Sequence, residues 1–230
     1  MNSQKLSKRL ETVASYVPKG SRLADIGSDH AYLPCYLAHQ GMIDRAIAGE
    51  VVKGPYESAV KEVKKEGLQN SIVVRLADGL DAIRESDQID TITIAGMGGP
   101  LIVSIIEKGK TKLTNVQRLI LQPNVHAKAI REWAVNNEWK LIDEKILKED
   151  RKIYEVLVLE RGTVNYSDVE TLMGPFLLKD KNLIFLEKWN SEVNQWRRIV
   201  DSLNLATEDQ TMRKEELEKL ISLVEGEIGQ

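Results

Sequence analysis

Twelve residues, Leu23-Ala24-Asp25-Ile26-Gly27-Ser28-Asp29-His30-Ala31-Tyr32-Leu33-Pro34, constrain the fold of this chain more than any others. An apolar run ends at an acid, turns at a lone glycine into polar side chains, and resumes as a new apolar segment. That is the pattern of a buried parallel strand delivering a loop to the carboxyl edge of a sheet, where open α/β sheets bind their ligands. The loop has a single glycine where a dinucleotide fingerprint has three, and carboxylates, Asp25 and Asp29, bracket the turn. A pyrophosphate would be repelled there and a cation attracted. The turn therefore favours a sulfonium-bearing cofactor over a nicotinamide dinucleotide.

The same grammar repeats along the first 160 or so residues. Leu6, Leu10, Val13 and Val17 recur at helical spacing, and Pro18-Lys19-Gly20 breaks that helix before a strand at 22–26. A helix follows over 31–40, then strand 45–51, helix 55–66, and a β-rich run at 72–76 ending in Ala77-Asp78-Gly79. A fourth strand, 91–95, leads into Gly96-Met97-Gly98-Gly99, with Pro100 suited to the first position of the next helix. A fifth, 118–121, closes on Gln122-Pro123-Asn124. After a helix holding Ile130 and Trp133, strand-like runs at 139–147 and 153–159 follow with only residues 148–152 between them. Strands joined by so short a link must pair antiparallel. Five βα units closed by an antiparallel hairpin predict an α/β fold with the class I, Rossmann-like methyltransferase sheet and an antiparallel last strand.

Beyond Gly162 the pattern becomes helical, which divides the chain into an expected cofactor-binding domain, 1–162, and a helical domain, 163–230. Leu186, Trp189, Val193, Trp196, Val200 and Leu203 make an a/d seam, and Leu217, Ile221, Val224 and Ile228 make another. Thr207 with Gln210 reads as a capping box between them. The expectation is an antiparallel coiled-coil arm.

Composition narrows the remaining classes. One cysteine, Cys35, excludes internal disulfides and thiolate metal clusters and points to a reducing compartment. No apolar run approaches membrane-spanning length, so the expected setting is cytoplasmic, with neither membrane nor metal as partner. The net charge of −3 does not announce a nucleic-acid binder, but its distribution is uneven. Residues 1–162 carry 24 basic against 22 acidic side chains, and residues 163–230 carry 8 against 13.

The candidate chemistry lies at strand ends. Gly27 lets a ligand approach the backbone; Asp25 or Asp29 could hold an α-ammonium group, and amides around Ser28 its carboxylate. Asp29 could equally cap the next helix. Glu50, with Val51 beside it, follows the second strand at the distance where a carboxylate accepts both ribose hydroxyls. Asp78, before Gly79, could accept from an adenine amine, although Asp-Gly is also a common turn. In Ala95-Gly96-Met97-Gly98-Gly99 the near-absence of side chains exposes backbone, and Met97 could pack on a flat ring or simply fill core.

Asp-Ile-Gly-Ser-Asp-His-Ala-Tyr-Leu-Pro, Ala-Gly-Met-Gly-Gly and Leu-Gln-Pro-Asn, in that order and followed by a helical tail, resemble the bacterial TrmK family over essentially the whole chain. The resemblance includes the Met173-Gly174-Pro175 segment. It implies S-adenosylmethionine as cofactor, tRNA as substrate and N1 of adenine 22 as methyl acceptor, with Asp25, Gly27, Asp29, Glu50, Asp78 and Gly96 around the cofactor. The Asn/Asp-Pro-Pro-Tyr element of many amino-methylating enzymes is missing from the fourth loop, which suits a ring nitrogen that attacks through its own lone pair. Catalysis is then by positioning, with Asp29, His30 and Tyr32 as the catalytic candidates nearest the base.

For phosphate contacts the sequence offers Lys5, Lys8 and Arg9, the cluster Lys108, Lys110 and Lys112, and Lys188 with Arg197-Arg198, each of which reads equally as a solvated face. The tail is expected to clamp RNA rather than to dimerise, with a monomer as the default state. A methyltransferase acting on protein or a small molecule, a nicotinamide oxidoreductase, and a non-catalytic RNA-binding protein on the same fold are the competing classes.

Overall fold

A computed structural model describes residues 2–203 and 210–229, which form two compact units, Met1–Asn165 and Tyr166–Gln230. In the first, seven strands make one sheet: β1 (Ser21–Ile26), β2 (Ile43–Glu50), β3 (Ile72–Leu76), β4 (Thr91–Gly98), β5 (Arg118–Val125), β6 (Trp139–Glu149) and β7 (Lys152–Arg161). Their order is β3-β2-β1-β4-β5-β7-β6. All pairs from β3 to β5 are parallel, and β7 inserts antiparallel between β5 and β6. The chain reverses direction across the sheet between β1 and β4, the switch point at which such sheets bind ligands.

Helices α1 (Lys8–Ser15), α2 (Tyr32–His39), α3 (Lys53–Lys65), α4 (Gly99–Lys108) and α5 (Ala127–Asn136) connect and cover the strands. Ser7 starts α1 by accepting the Leu10 amide at 3.3 Å, and the Val13 and Ala14 side chains of that helix enter the core. Burial of Leu23, Ala24, Ile92, Ile94, Leu119, Ile120 and Leu121 explains why these strands read as continuous apolar runs rather than alternating ones.

Two expectations are corrected here. The fourth strand does not stop at Ala95: Met97 and Gly98 stay in the sheet opposite Pro123 and Val125, because the carboxyl half of β5 continues alongside. The link between β6 and β7 is tighter than residues 148–152, since Glu149 already pairs with Lys152. Asp150 and Arg151 make the turn with φ of 47° and 64°, the left-handed pair that matches the twist of a two-residue hairpin.

A buried ion cluster fixes that hairpin. Arg131 on α5 has no exposed surface and bonds Glu144 of β6 and Glu155 of β7, each at 2.6 Å. Removing either sign alone would strand charge in the core.

The second unit is helical: α6 (Asp168–Met173), α7 (Pro175–Asp180), α8 (Leu183–Leu203) and α9 (Thr211–Ile228). Ser167 and Glu170 form a reciprocal capping box at α6, and Pro175 opens α7. Helices α8 and α9 pack against each other, with Arg197 paired to Glu225 and Lys181 to Glu227. Trp189, Val193 and Val224 of the expected seams are buried, and Phe185 is added to them. Thr207 lies outside the described residues, and the Gln210 side chain makes no cap to α9. No helix among the described residues is long and apolar enough to cross a membrane.

Candidate active site

The carboxyl ends of β1, β2, β3 and β4 bring the predicted residues to one edge. At the first, Gly27 has φ +70° and donates its amide to Gly49 O at 2.9 Å, turning the chain away from the sheet. A Cβ on Gly27 would meet Met97 Cε at 2.2 Å, so the loop after β1 and β4 touch at a position where any other residue would have to displace Met97. Gly79, after β3, and Gly96, at the register shift within β4, also have positive φ, 54° and 80°.

The two carboxylates of the first loop separate in role. Asp25 is buried; one oxygen accepts Thr93 Oγ1 at 2.7 Å and the other accepts Ser28 Oγ. Burial pushes its carboxyl above the usual range, and these two hydroxyls offset part of that rise. Asp25 and Ser28 thus spend their side chains on each other and shape the turn, whereas the Asp29 side chain is 74% exposed and faces His30 Nε2 at 3.6 Å. No side chain caps α2, so the capping alternative for Asp29 is not realised.

Asp29, His30 and Ala31 have φ of 41°, 71° and 56°, three consecutive non-glycine residues in the left-handed region. Each costs about 1–2 kcal/mol against the usual backbone, and such strain concentrates at ligand-binding loops. The opposing hold is visible: the Asp29 amide donates to Glu50 Oε1 at 2.5 Å. Glu50 is buried, which raises its carboxyl pKa; the Asp29 amide pulls it back, and the charges of Asp25 and Asp29 push it further up. The His30 and Tyr32 rings stack at 5.2 Å, joining two of the predicted catalytic side chains into one aromatic surface.

Val51 follows Glu50 and is 63% exposed, and Leu76, paired with Glu50 across β2 and β3, is 51% exposed. Leu76 was not singled out from sequence, and its exposure at a strand end is visible only in three dimensions. Asp78 carries an ion pair with Lys108 of α4 at 2.5 Å, and a Cβ on Gly79 would press on Ile105 of that helix. On the exposed surface Lys108 pairs with Asp78, and Lys110 with Glu107 and Asn137. In the second unit, Arg197 is likewise held by Glu225, and Lys188 lies over the Trp189 ring.

The Gly96 peptide is gripped from both sides. Gln122 Oε1, fully buried, accepts its amide at 2.9 Å, and Asn124 Nδ2 donates to its carbonyl at 2.7 Å. Arg9 of α1 donates to the same Gln122 oxygen, which fixes the amide's orientation. A Cβ on Gly96 would lie 3.5 Å from Arg9 Nη1, so the guanidinium stands at the edge of the site. Ala95 is half-buried beneath this clamp, and Met97 lies over Gly27. Among the described residues no group of three or more His, Cys, Asp or Glu side chains could hold a metal ion.

The family model described as tRNA (adenine(22)-N(1))-methyltransferase, TrmK, matches residues 23–226. The chain belongs to the TrmK family. The Bacillus subtilis tRNA (adenine(22)-N(1))-methyltransferase is 50% identical over 98% of this chain and 96% of its own length. The crystal structure of B. subtilis TrmK matches with a TM-score of 0.93 at 47% identity, covering 98% of this chain and 99% of that one. A Streptococcus pneumoniae protein solved in complex with S-adenosyl-L-methionine is 45% identical (TM-score 0.90, 97% of this chain and 100% of that one). M. capricolum TrmK, solved with S-adenosyl-homocysteine, is 26% identical (TM-score 0.86, 97% and 98%).

The strand-edge residues fit that cofactor class. Left-handed glycines after β1 and β3 and within β4 open the backbone to a ligand, and a buried carboxylate at Glu50 is flanked by apolar Val51 and Leu76. This donor set is rich in acceptors for hydroxyl and amine hydrogens and has no cluster of cations suited to a pyrophosphate.

Proposed function

We propose that this chain is an S-adenosylmethionine-dependent methyltransferase that modifies N1 of adenine 22 in tRNA. Family membership and the 50%-identical B. subtilis enzyme support the reaction. One observation carries the assignment of the site: the buried Glu50 carboxylate holds the Asp29 amide, tying the second strand's acid to a strained loop whose Asp29 and His30 side chains are exposed.

In this reading Glu50 binds the ribose hydroxyls, Val51 and Leu76 flank the adenine, and Asp78 accepts from its amine. Gly27 and the Ser28 amide border the methionine end, Asp29 takes its ammonium group or the base amine, and Gly96 and Met97 form the opposite wall. The cofactor supplies an electrophilic methyl group on a sulfonium centre. Adenine N1 presents an in-plane lone pair, so the protein need not remove a proton before attack. What the chain must do is uncover the Watson–Crick edge and hold N1 in line. The His30–Tyr32 stack offers a flat surface for an unpaired base, and Asp29 beside it can accept from the exocyclic amine.

The test is to incubate an unmodified tRNA transcript with the protein and methyl-labelled cofactor and to map the modified nucleotide. Label at N1 of adenine 22 is expected; label elsewhere, or in protein from an RNA-free extract, would reject the reading. Asp29→Ala should cut turnover by about 100-fold or more while leaving the thermal midpoint near that of the wild type. Near-normal turnover would remove Asp29 from the site.

A further inference from the structure

Arg9 connects the site to a surface that the family reaction does not itself assign. Its side chain has no carboxylate partner among the described residues; beyond the bond to Gln122, its guanidinium lies 5.5 Å over the Tyr154 ring of β7. Strand β7 pairs with β5 only through Leu157, so residues 152–156 run on past the paired segment. Because β7 is antiparallel to β5, these residues, paired with β6, lie toward the carboxyl ends of the parallel strands, the edge that holds Gly96.

The hairpin tip is docked onto α1. Glu149 accepts the Lys8 amide at 2.7 Å and the Arg9 amide at 3.3 Å, placing its carboxylate on the positive end of that helix. Glu149 is thereby occupied with backbone, and Lys8, Arg9 and Lys152 make no ion pair among the described residues. Lys152 is the cross-strand partner of Glu149, so both project on one face, and Tyr154, two residues on, shares it. Lys8 and Lys152 are exposed on the rim, whereas Arg9 reaches inward along the same face to the clamp on Gly96.

We propose that this seam between α1 and the β6–β7 hairpin is the surface that receives the sugar-phosphate backbone of the substrate RNA. Lys8 and Lys152 meet phosphates outside the site, and Arg9 meets the one nearest the target base. Arg9 suits that place because one Nη bonds Gln122 while its remaining donors have no hydrogen-bond partner among the described residues, and the fork can hold a phosphate oxygen pair. Docking of RNA and the setting of the Gly96 peptide are thus linked through one guanidinium. The inference rests on the tRNA reading above and adds to it the face by which the RNA approaches.

The test uses the full chain and an unmodified tRNA transcript. Lys8→Glu with Lys152→Glu should raise the transcript Kd by about tenfold or more and flatten the slope of log Kd against log salt by about two. S-adenosylhomocysteine binding should stay unchanged, and Lys8→Gln with Lys152→Gln, which adds no carboxylate beside Glu149, should weaken RNA binding in the same sense with the thermal midpoint retained. Lys61→Glu with Lys64→Glu, the same charge change on exposed positions of α3, should move neither quantity. Arg9→Ala should raise KM for the transcript with cofactor affinity retained, and Arg9→Lys should restore part of it. Wild-type RNA affinity in the first double variant, an equal loss in the α3 variant, or lost cofactor binding in Arg9→Ala would overturn the seam. Transcript binding through these residues without methylation of adenine 22 would instead reject the proposed reaction and leave the seam standing.

Discussion

The Asp29 amide and the Glu50 carboxylate, 21 residues apart in sequence, meet at 2.5 Å at the carboxyl edge of the sheet. The acid that closes β2 therefore also holds the left-handed run after β1. Glu50→Ala is expected to lose on both counts: cofactor affinity should fall by about 10- to 100-fold, the scale of one or two charge-assisted hydrogen bonds. Amide exchange at residues 29–31 should rise as well. Calorimetry with S-adenosylhomocysteine and hydrogen exchange read the two effects separately; an unchanged affinity would remove Glu50 from the ribose site.

Asp25 gives a pH signature. Burial raises its carboxyl above the ordinary value of 3.8, so the folded state holds the proton more tightly than the unfolded chain does. Its favourable contribution is complete below 3.8 and is lost as pH rises through the elevated folded value. Asp25→Asn keeps an acceptor for one hydroxyl and carries no charge. Its thermal midpoint should gain on the wild type as pH increases across that window; a constant difference would mean that Asp25 titrates alike in both states.

Gly27→Ala should be destabilising by about 1–2 kcal/mol from its left-handed backbone alone. The new methyl would also displace Met97, whose Cε stands 2.2 Å from the Cβ position. Adding Met97→Ala should recover the collision but not the backbone cost, so the double variant should be more stable than additivity allows. Urea denaturation of the four proteins completes the cycle.

Arg131→Met leaves Glu144 and Glu155 buried without their cation and should cost about 3–5 kcal/mol. Replacing all three by apolar residues of similar volume should return most of that stability. If the single change were as mild as the triple one, the cluster would not be holding the hairpin.

Cys35 is fully buried, and burial pushes its thiol up to about 12. At pH 8 it should resist a thiol reagent in the native protein and react once urea unfolds the chain. Rapid native labelling would show that the α2 region opens readily.

The sheet was legible because its signals are local. Apolar runs of strand length separated by helical periods give the parallel order, and adjoining strand-like runs give the hairpin. The continuation of β4 through Gly98 was not, since glycine-rich sequence has no strand propensity and pairs only because β5 runs beside it. Glu50 stood out by its spacing, but the left-handed Asp29, His30 and Ala31 did not: Asp and His tolerate that backbone as single residues, yet three in succession ending at Ala31 have no local signal. Arg9 was read as a phosphate candidate or a solvated helix face; its contact with Gln122 spans 113 residues and has no local trace. The ion pair of Asp78 with Lys108, 30 residues apart, was hidden for the same reason.

The strand-end glycines have a consequence for inhibition. Gly27 admits no Cβ without displacing Met97, Gly99 would collide with the His126 carbonyl at 2.1 Å, and both sides of the Gly96 peptide are already taken by Gln122 and Asn124. A compound anchored on main-chain groups at this edge would contact the part of the protein least able to change by single substitution. Resistance would then have to arise at the exposed positions around it, Val51 and Leu76 foremost, where side chains can vary without disturbing the turns.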